Sequence, residues 1–185
     1  MRHFALCAIG RDRPGIVSAL TEVLLRHGLN VEDSQMTILR GHFTMMLILA
    51  AAGDVHDGDL RADLDRTGRQ LGLEALSLDD VTGVDAAPQP SPTHVVTVYG
   101  VDHPGIVHAI TAALSDCGVN ITDLNTRLVS DDADDLYAMM LEIALPAGLS
   151  SEALEGLLEA SRREQDVEIA IREVERELDL EPEER

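Results

Sequence analysis

The chain of 185 residues contains the same sequence pattern twice, at a spacing of 90 residues. Gly-Arg-Asp-Arg-Pro-Gly-Ile-Val at residues 10–17 returns as Gly-Val-Asp-His-Pro-Gly-Ile-Val at residues 100–107. Gly-Leu-Asn-Val at residues 28–31 returns as Gly-Val-Asn-Ile at residues 118–121. This period is too long for one unit of a solenoid and fits a small complete domain, so the pattern predicts two copies of one fold.

Within each copy, the hydrophobic pattern changes between strand and helix in the same order. The first copy predicts segments at 4–9, 16–24 (helix), 31–39, 43–49, 57–71 (helix) and 76–81, and the second at 95–99, 106–114 (helix), 121–129, 137–145, 151–163 (helix) and 167–174. Gly41-His42 is predicted to make a tight hairpin turn, and the acidic turn Ser130–Asp135 of the second copy is longer. The order β-α-β-β-α-β predicts an α+β protein of two tandem ferredoxin-like domains. Each is expected to have an antiparallel sheet with its helices on one face.

A proline-rich stretch separates the two copies. Three prolines lie between residues 88 and 92, which excludes a helix or a central strand there and indicates a short, extended connector. We therefore predict a first domain at 1–82, a linker at 83–92, a second domain at 93–175 and an acidic C-terminal tail at 176–185.

The charge of the chain restricts its partners. It carries 34 acidic and 14 basic residues, a net charge of -20, and all of its basic side chains besides histidine are arginines. Such a surface repels a phosphate backbone, so we expect no direct nucleic-acid binding. Without a long apolar run or a signal peptide, we expect no membrane partner and a cytoplasmic location. Cys7 and Cys117 are not repeated, which argues against a disulfide or a metal role.

The repeated turn has the chemistry to bind a free amino acid. Pro14 and Gly15 open a helix whose first amides lack partners within the helix, and these can receive a carboxylate. Gly10 permits close approach of the backbone, Asp12 can accept from an α-ammonium group, and the Asn30 amide can both donate and accept. The second copy offers the same groups at Gly100, Asp102, Pro104, Gly105 and Asn120.

Simpler structural roles fit several of these residues equally well. Asp12 and Asp102 could cap their helices, and capping is compatible with binding. Gly28 and Gly118 are predicted to end helices, and the Asn pair could occupy turns. The alternating polar residues of the next strand could line a domain junction or a solvated edge; they are Asp33, Gln35, Asp123, Asn125 and Arg127.

Enzymatic activity is not indicated by the sequence. The histidines are scattered, and no nucleophile motif, phosphate-cradling loop or spaced set of metal ligands is present. We therefore expect no catalytic residue, no metal and no cofactor.

The paired motif, a strand ending in Gly-x-Asp-x-Pro-Gly-Ile-Val and a later Gly-x-Asn-(Val/Ile), resembles the ACT domain, a small-molecule-sensing module of amino-acid metabolism. The resemblance covers about residues 3–82 and 93–175, and the tandem layout is similar to the glycine cleavage system transcriptional repressor group. It implies that the ligand is surrounded by residues at these positions, commonly where two domains meet. The implied ligand-binding residues are Gly10, Asp12, Pro14, Gly15, Ile16, Asn30 and Val31, with Gly100, Asp102, Pro104, Gly105, Ile106, Asn120 and Ile121 in the second copy.

The resemblance implies an amino-acid sensor, for a ligand of the glycine or serine type, that modulates a protein partner such as a transcription regulator and forms a homodimer. Two alternatives are a regulatory subunit of an amino-acid biosynthetic enzyme and a dimerisation module without a ligand. Other effector-binding ACT domains often have Asn where this chain has Asp12 and Asp102. Because Arg11 and Arg13 are replaced by Val101 and His103, the two sites are not expected to bind equally.

Overall fold

Each repeat forms four strands and two helices in the computed structural model, which describes residues 1–51, 53, 55–84, 90–130 and 135–174. The first unit contains β1 (Arg2–Arg11), α1 (Ile16–Arg26), β2 (Leu29–Leu39), β3 (His42–Ala51), α2 (Asp57–Leu71) and β4 (Leu73–Val81). The second contains β5 (His94–Val101), α3 (Ile106–Asp116), β6 (Asn120–Ser130), β7 (Asp135–Ala144), α4 (Ser151–Glu164) and β8 (Val167–Glu173). The predicted order and the two tandem ferredoxin-like units are confirmed.

The sheets of the two units have the same topology. Their strand orders are β2-β3-β1-β4 and β6-β7-β5-β8, and every neighbouring pair is antiparallel. Because β1 and β2 both pair with β3, they point in the same direction on either side of it, and α1 connects them. The end of β1 and the start of β2 therefore lie at opposite ends of the sheet.

The helices of each unit cover one face of its sheet. In the first unit, Phe4 and Leu6 of β1 form a buried cluster with Leu20 of α1 and Leu60 of α2. In the second unit, the equivalent cluster joins β5 and β7 to Ile110 of α3 and other apolar side chains of the helices. Alternation along the strands and helical spacing in the helices direct these side chains to the core of their own unit.

The first hairpin turns one residue earlier than predicted. Arg40 and Gly41 have φ angles of 49° and 81°, while His42 is already the first residue of β3. Two consecutive left-handed residues are typical of a type I′ turn, whose twist matches that of the flanking strands. The turn is therefore Arg40-Gly41, and the prediction of Gly41-His42 is wrong.

Several elements extend beyond their predicted segments because strand pairing continues past the apolar residues. β1 begins at Arg2 and ends at Arg11, and β4 begins at Leu73, which pairs with Gly10. The predicted linker at 83–92, the acidic turn at 130–135 and the C-terminal segment at 176–185 lie partly or wholly outside the described residues. Among the described helices, none has the length and apolar character needed to cross a membrane.

Candidate functional site

The glycines next to the last residues of β1 and β5, Gly10 and Gly100, are required by strand packing. A Cβ on Gly10 would lie 2.9 Å from Leu73 Cδ2 and 3.2 Å from Leu73 Cα on the neighbouring strand. A Cβ on Gly100 would lie 2.7 Å from Val167 Cγ1 and 3.3 Å from the carbonyl oxygen of Asp166. The approach of β4 and β8 thus accounts for both glycines, and the approach of a ligand at these positions stays a prediction.

The residue that precedes each first helix is a glycine in the left-handed region. Gly15 has φ 95° and Gly105 has φ 112°, and each is the N-cap, without a side-chain capping bond among the described residues. The hypothesis that Asp12 and Asp102 cap these helices is therefore wrong. The main-chain amide of Asp12 instead donates to the carbonyl oxygen of Gly41 at 3.0 Å, which joins this turn to the hairpin.

The amides at the starts of α1 and α3 are available to a ligand. In each unit, the carbonyl oxygen of the left-handed glycine accepts from the amide four residues later at 2.9 Å. The amides of residues 16–18 and 106–108 thus precede the first bond within the helix. α1 and α3 have no acidic residue in their first turns, whereas α2 begins with Asp57 and Asp59, and α4 with Glu152. The positive ends of the α1 and α3 dipoles are therefore not neutralised by a carboxylate of their own first turns.

The side chains around this turn divide into buried and exposed groups. Ile16 and Ile106 are 1% and 2% exposed and belong to the cores, so only their main chains could contact a ligand. Pro14, Asp12 and their counterparts in the second unit are exposed. The carboxylate groups and the free amides therefore lie on the same accessible end of each unit.

The predicted asparagines lie at the other end of the sheet. Gly10 pairs with Phe43 of β3, whereas Asn30 pairs with Ala50 of the same strand. Seven residues of β3 separate the two positions, about 23 Å at 3.3 Å per residue. The second unit repeats this arrangement, with Gly100 opposite Tyr137 and Asn120 opposite Ala144. The structure does not bring the turn and the asparagine together within one unit.

The asparagine positions are themselves accessible. Asn30 and Asn120 are exposed, and Val31, the next residue of β2, is 37% exposed. Gly28 and Gly118, both with φ 69°, follow the last residues of α1 and α3 in the left-handed conformation, as predicted for helix ends.

The polar residues predicted on one strand face do share a face. A bulge follows Val31, after which Asp33 pairs with Ile48 and Gln35 with Met46. The second unit has the same bulge, after which Asp123, Asn125 and Arg127 alternate along β6. All of these polar residues are exposed. They lie on the sheet face away from the helices, because the residues between them pair with buried positions of β3 and β7.

Sequence reasoning missed one pair of contacts at the repeated turn. Arg13 Nη2 donates to the carbonyl oxygen of Gln70 at 3.1 Å, in the last turn of α2. His103 occupies the same motif position, and its Nε2 lies 2.9 Å from the carbonyl oxygen of Gln165, the residue that ends α4. The only signal in the sequence was that both residues carry or can accept a positive charge.

The environment of His103 favours its protonated form. Its Nδ1 also lies 3.2 Å from the carbonyl oxygen of Pro104. The bonds to the carbonyls of Gln165 and Pro104 raise the pKa of the imidazole, and the negative charges of Asp102 and Asp166 raise it further. The ring therefore keeps a positive charge at a higher pH than a free histidine does.

A surface cavity of about 720 Å³ opens beside Gly100 in the second unit. Its apolar lining comes from Tyr99, Val101 and Leu136, and its charged lining includes Arg162 and Arg163 of α4. Both arginines are paired with Glu159 at 2.7 to 3.0 Å. Apolar and charged groups of both signs thus surround the end of β5.

A metal centre is not formed by the described residues, among which no three His, Cys, Asp or Glu side chains cluster in a way that could hold an ion. Cys7 and Cys117 are both free.

Comparison with known proteins identifies the repeats. The ACT domain model matches residues 3–76 and 93–172, which is most of both units. A UPF0237 protein from Methanopyrus kandleri is 40% identical over 77 residues, 41% of this chain and 86% of that protein. The glycine cleavage system transcriptional repressor of Escherichia coli is 28% identical over 145 residues, 78% of this chain and 74% of the repressor.

A solved structure is similar to this chain over the length of both units. The crystal structure of an unknown protein from Galdieria sulphuraria superimposes with a TM-score of 0.75 at 27% identity, covering 94% of this chain and 98% of that one. The similarity thus extends over both units.

Proposed function

Since the chain belongs to the ACT domain family, we propose that it is a non-catalytic, cytoplasmic regulatory protein that binds a small amino acid of the glycine or serine type and thereby modulates a protein partner. The observation that carries this proposal is the duplicated turn at the start of α1 and α3. In both units a left-handed glycine leaves the first amides of the helix free, and no acidic side chain of the first turn competes for them.

The ligand's two charges have separate partners at this turn. Its carboxylate accepts from the amides of residues 16–18 or 106–108, where the helix dipole favours an anion. Its ammonium group donates to the exposed carboxylate of Asp12 or Asp102. Since these aspartates do not cap the helices, their carboxylates are available for this role.

Asn30 and Asn120 lie too far from the turn of their own unit to contact a ligand bound there. The 23 Å between the turn and the asparagine, estimated from the rise along β3, is several times the length of a free amino acid. We propose a homodimer in which the strand start of one copy, with Asn30 and Val31, lies against the turn of the other. Ligand binding then links the two copies. This provides a way for the ligand to change the surface that a protein partner contacts.

The net charge of -20 favours a protein partner over direct binding to DNA. The relative in Escherichia coli is named as a transcriptional repressor of the glycine cleavage system. This name supports glycine as the ligand and a transcription regulator as the partner. A gel shift in which the purified chain alone bound DNA tightly and specifically would contradict this part of the proposal.

The size of the ligand sets the concentration range of the test. At no more than about 1.5 kcal/mol for each heavy atom, the roughly five heavy atoms of glycine allow a Kd on the order of micromolar at best. The standard amino acids should therefore be screened by thermal shift up to millimolar concentration, with the full-length chain.

Variants then connect a shift in melting temperature to the site. Asp12→Ala, Asn30→Ala, Asp102→Ala and Asn120→Ala are expected to reduce the shift caused by glycine or serine. Asp59→Ala and Gln35→Ala, which remove an exposed carboxylate and an exposed amide elsewhere, are expected to preserve it. No shift with any amino acid would favour a dimerisation module. Capture of a biosynthetic enzyme from native lysate, rather than a transcription regulator, would favour a regulatory subunit.

A further inference from the structure

The residue before the proline of each motif links the repeated turn to the end of the second helix in its own unit. In the first unit, Arg13 makes this link to the carbonyl oxygen of Gln70 at 3.1 Å. The last carbonyls of a helix lack partners within it and lie at the negative end of its dipole, so they favour a cationic donor. Arginine stays charged at all physiological pH values, so this link is insensitive to pH.

In the second unit, the strength of the link depends on a proton. The two ring nitrogens of His103 lie 2.9 Å and 3.2 Å from the carbonyl oxygens of Gln165 and Pro104. Carbonyl oxygens only accept hydrogen bonds, and a neutral imidazole has a single N–H, so it can satisfy one of them at most. Only the imidazolium donates to both.

Other contacts show that the end of α4 packs directly against this turn. The Gln165 side-chain oxygen lies 3.2 Å from where a Cβ on Gly105 would be, and Gly105 is the left-handed glycine that precedes α3. A change in the contact between His103 and Gln165 is therefore transmitted to the backbone that presents the free amides.

The negative charges near the ring favour its protonated form, and the nearby positive charges are paired with another carboxylate. Asp102 on the same turn and Asp166 in the connection between α4 and β8 both favour the imidazolium. Arg162 and Arg163, in the last turn of α4, are engaged by Glu159. Tyr137 on β7 is neutral here, since burial raises the pKa of its hydroxyl.

We propose that Arg13 and His103 are positioning residues for the ligand-binding turns, and that the second turn is held by both hydrogen bonds of the ring only while His103 is protonated. This inference rests on the proposed function. Amino-acid binding by the second unit should weaken as pH rises, whereas binding by the first unit should not.

The pH range follows from the direction of the shift. The pKa of His103 is raised above its ordinary value of 6.5 in the folded chain. The link is therefore fully present below pH 6.5 and weakens as pH rises through the raised value, because a neutral ring keeps at most one of the two hydrogen bonds. Because the ring is exposed, we expect the Kd of the second site to increase roughly two- to fivefold across this range, as for a surface ionic contact.

The test uses the full-length chain and has a readout that needs no ligand. The ring signal of His103, identified by its absence in His103→Gln, is followed by NMR from pH 5 to 9 together with the main-chain amides of residues 102–106. We expect the ring to titrate above pH 6.5 and the amides to follow the same curve. A ring that titrates at or below 6.5, or amides that do not follow it, would overturn the proposal.

Two exchanges of the motif residue provide matched controls. His103→Arg reproduces the first unit's link and should abolish the pH dependence of the turn amides, while Arg13→His should introduce it at residues 12–16. Glycine titrations at pH 6 and 8.5 then test the ligand part. If the amides respond as expected but no amino acid binds at either pH, the proposed function fails and the link stands. If glycine binds the second unit equally at both pH values, the inference about binding is wrong.

Discussion

Gly10 and Asn30 lie on strands that pair with the same neighbour, but seven residues apart along it, opposite Phe43 and Ala50. The two halves of the sequence motif are thus at opposite ends of each unit. The repeat that suggested one compact site in each copy instead places its turn and its strand start far apart.

This separation predicts complementation between chains. The background for this test is a chain that carries Asp102→Ala and Asn120→Ala. When Asp12→Ala or Asn30→Ala is added to this background, each resulting variant should no longer bind glycine, as measured by calorimetry. Co-refolding the two variants should restore binding, because a mixed dimer combines one intact turn with one intact Asn30. Binding that stayed absent in the mixture, with dimers present, would contradict a site shared between copies.

Ser150 and Asp102 should respond differently to removal. The Ser150 hydroxyl accepts from the amide of Ala153 at 3.2 Å and caps α4. Ser150→Ala should therefore lower the free energy of unfolding of the second unit by about 1 kcal/mol. Asp102→Ala removes no cap, so no comparable loss is expected. Urea unfolding followed by tyrosine fluorescence reports this unit alone, because both tyrosines, Tyr99 and Tyr137, belong to it.

Two glycines of the second unit should show opposite effects when changed to alanine. A Cβ on Gly100 would be 2.7 Å from Val167 Cγ1, so Gly100→Ala should destabilise the unit by about 1–3 kcal/mol. Gly156, inside α4, has nothing within 4 Å of its would-be Cβ, and Gly156→Ala should stabilise by up to about 1 kcal/mol. Equal effects in the same unfolding assay would contradict the packing described for β5 and β8.

Arg2 of β1 joins this strand to α2 and β4. These contacts should make the stability of the first unit dependent on pH in the acidic range. The Arg2 guanidinium donates to both carboxylate oxygens of Asp57 at 2.6 Å and to Asp80 at 2.7 Å. The bond to Arg2 lowers the pKa of Asp57 below its ordinary value of 3.8. Its contribution is present above pH 3.8 and is lost as pH falls through the lowered value.

Asp57→Asn should accordingly lower the melting temperature at pH 7. The difference from wild type should shrink as pH falls below 3.8 and should be lost as pH falls through the lowered pKa of the folded chain, where the Asp57 carboxyl becomes protonated. Asp59→Asn changes the charge of the same helix turn equally but lies outside the Arg2 contacts, so it serves as the control. A difference that is constant with pH would show that Asp57 does not act through its charge.

Much of the fold was predictable because the spacing of apolar residues within each repeat distinguishes its strands from its helices. Phe4 and Leu6 alternate with less buried residues, and Leu20 and Leu24 follow at helical spacing, so both elements could be recognised locally. The start of β4 could not. Glu74 and Ala75 are exposed and carry no apolar pattern. Only the pairing of Ala75 and Leu73 with β1 extends the strand back to Leu73.

The site was predictable in its residue types but not in its geometry. The separation of Asp12 and Asn30 was implicit in the predicted order, because a helix lies between them, but the repeated motif was interpreted as one site. The links made by Arg13 and His103 end on main-chain carbonyls far away in the sequence, at Gln70 and Gln165. A carbonyl acceptor leaves no signature in the sequence, because every residue has one.

The most direct test of the proposed amino-acid site is a glycine and serine titration of the uniformly labelled full-length chain, monitored through its main-chain amide signals up to about 10 mM, well above the micromolar floor set by ligand size. Saturable shifts at residues 12–18, with the counterpart residues 102–108 and the asparagine positions 30–31 and 120–121, are the predicted result. Saturable shifts elsewhere, or none with either amino acid, would contradict it.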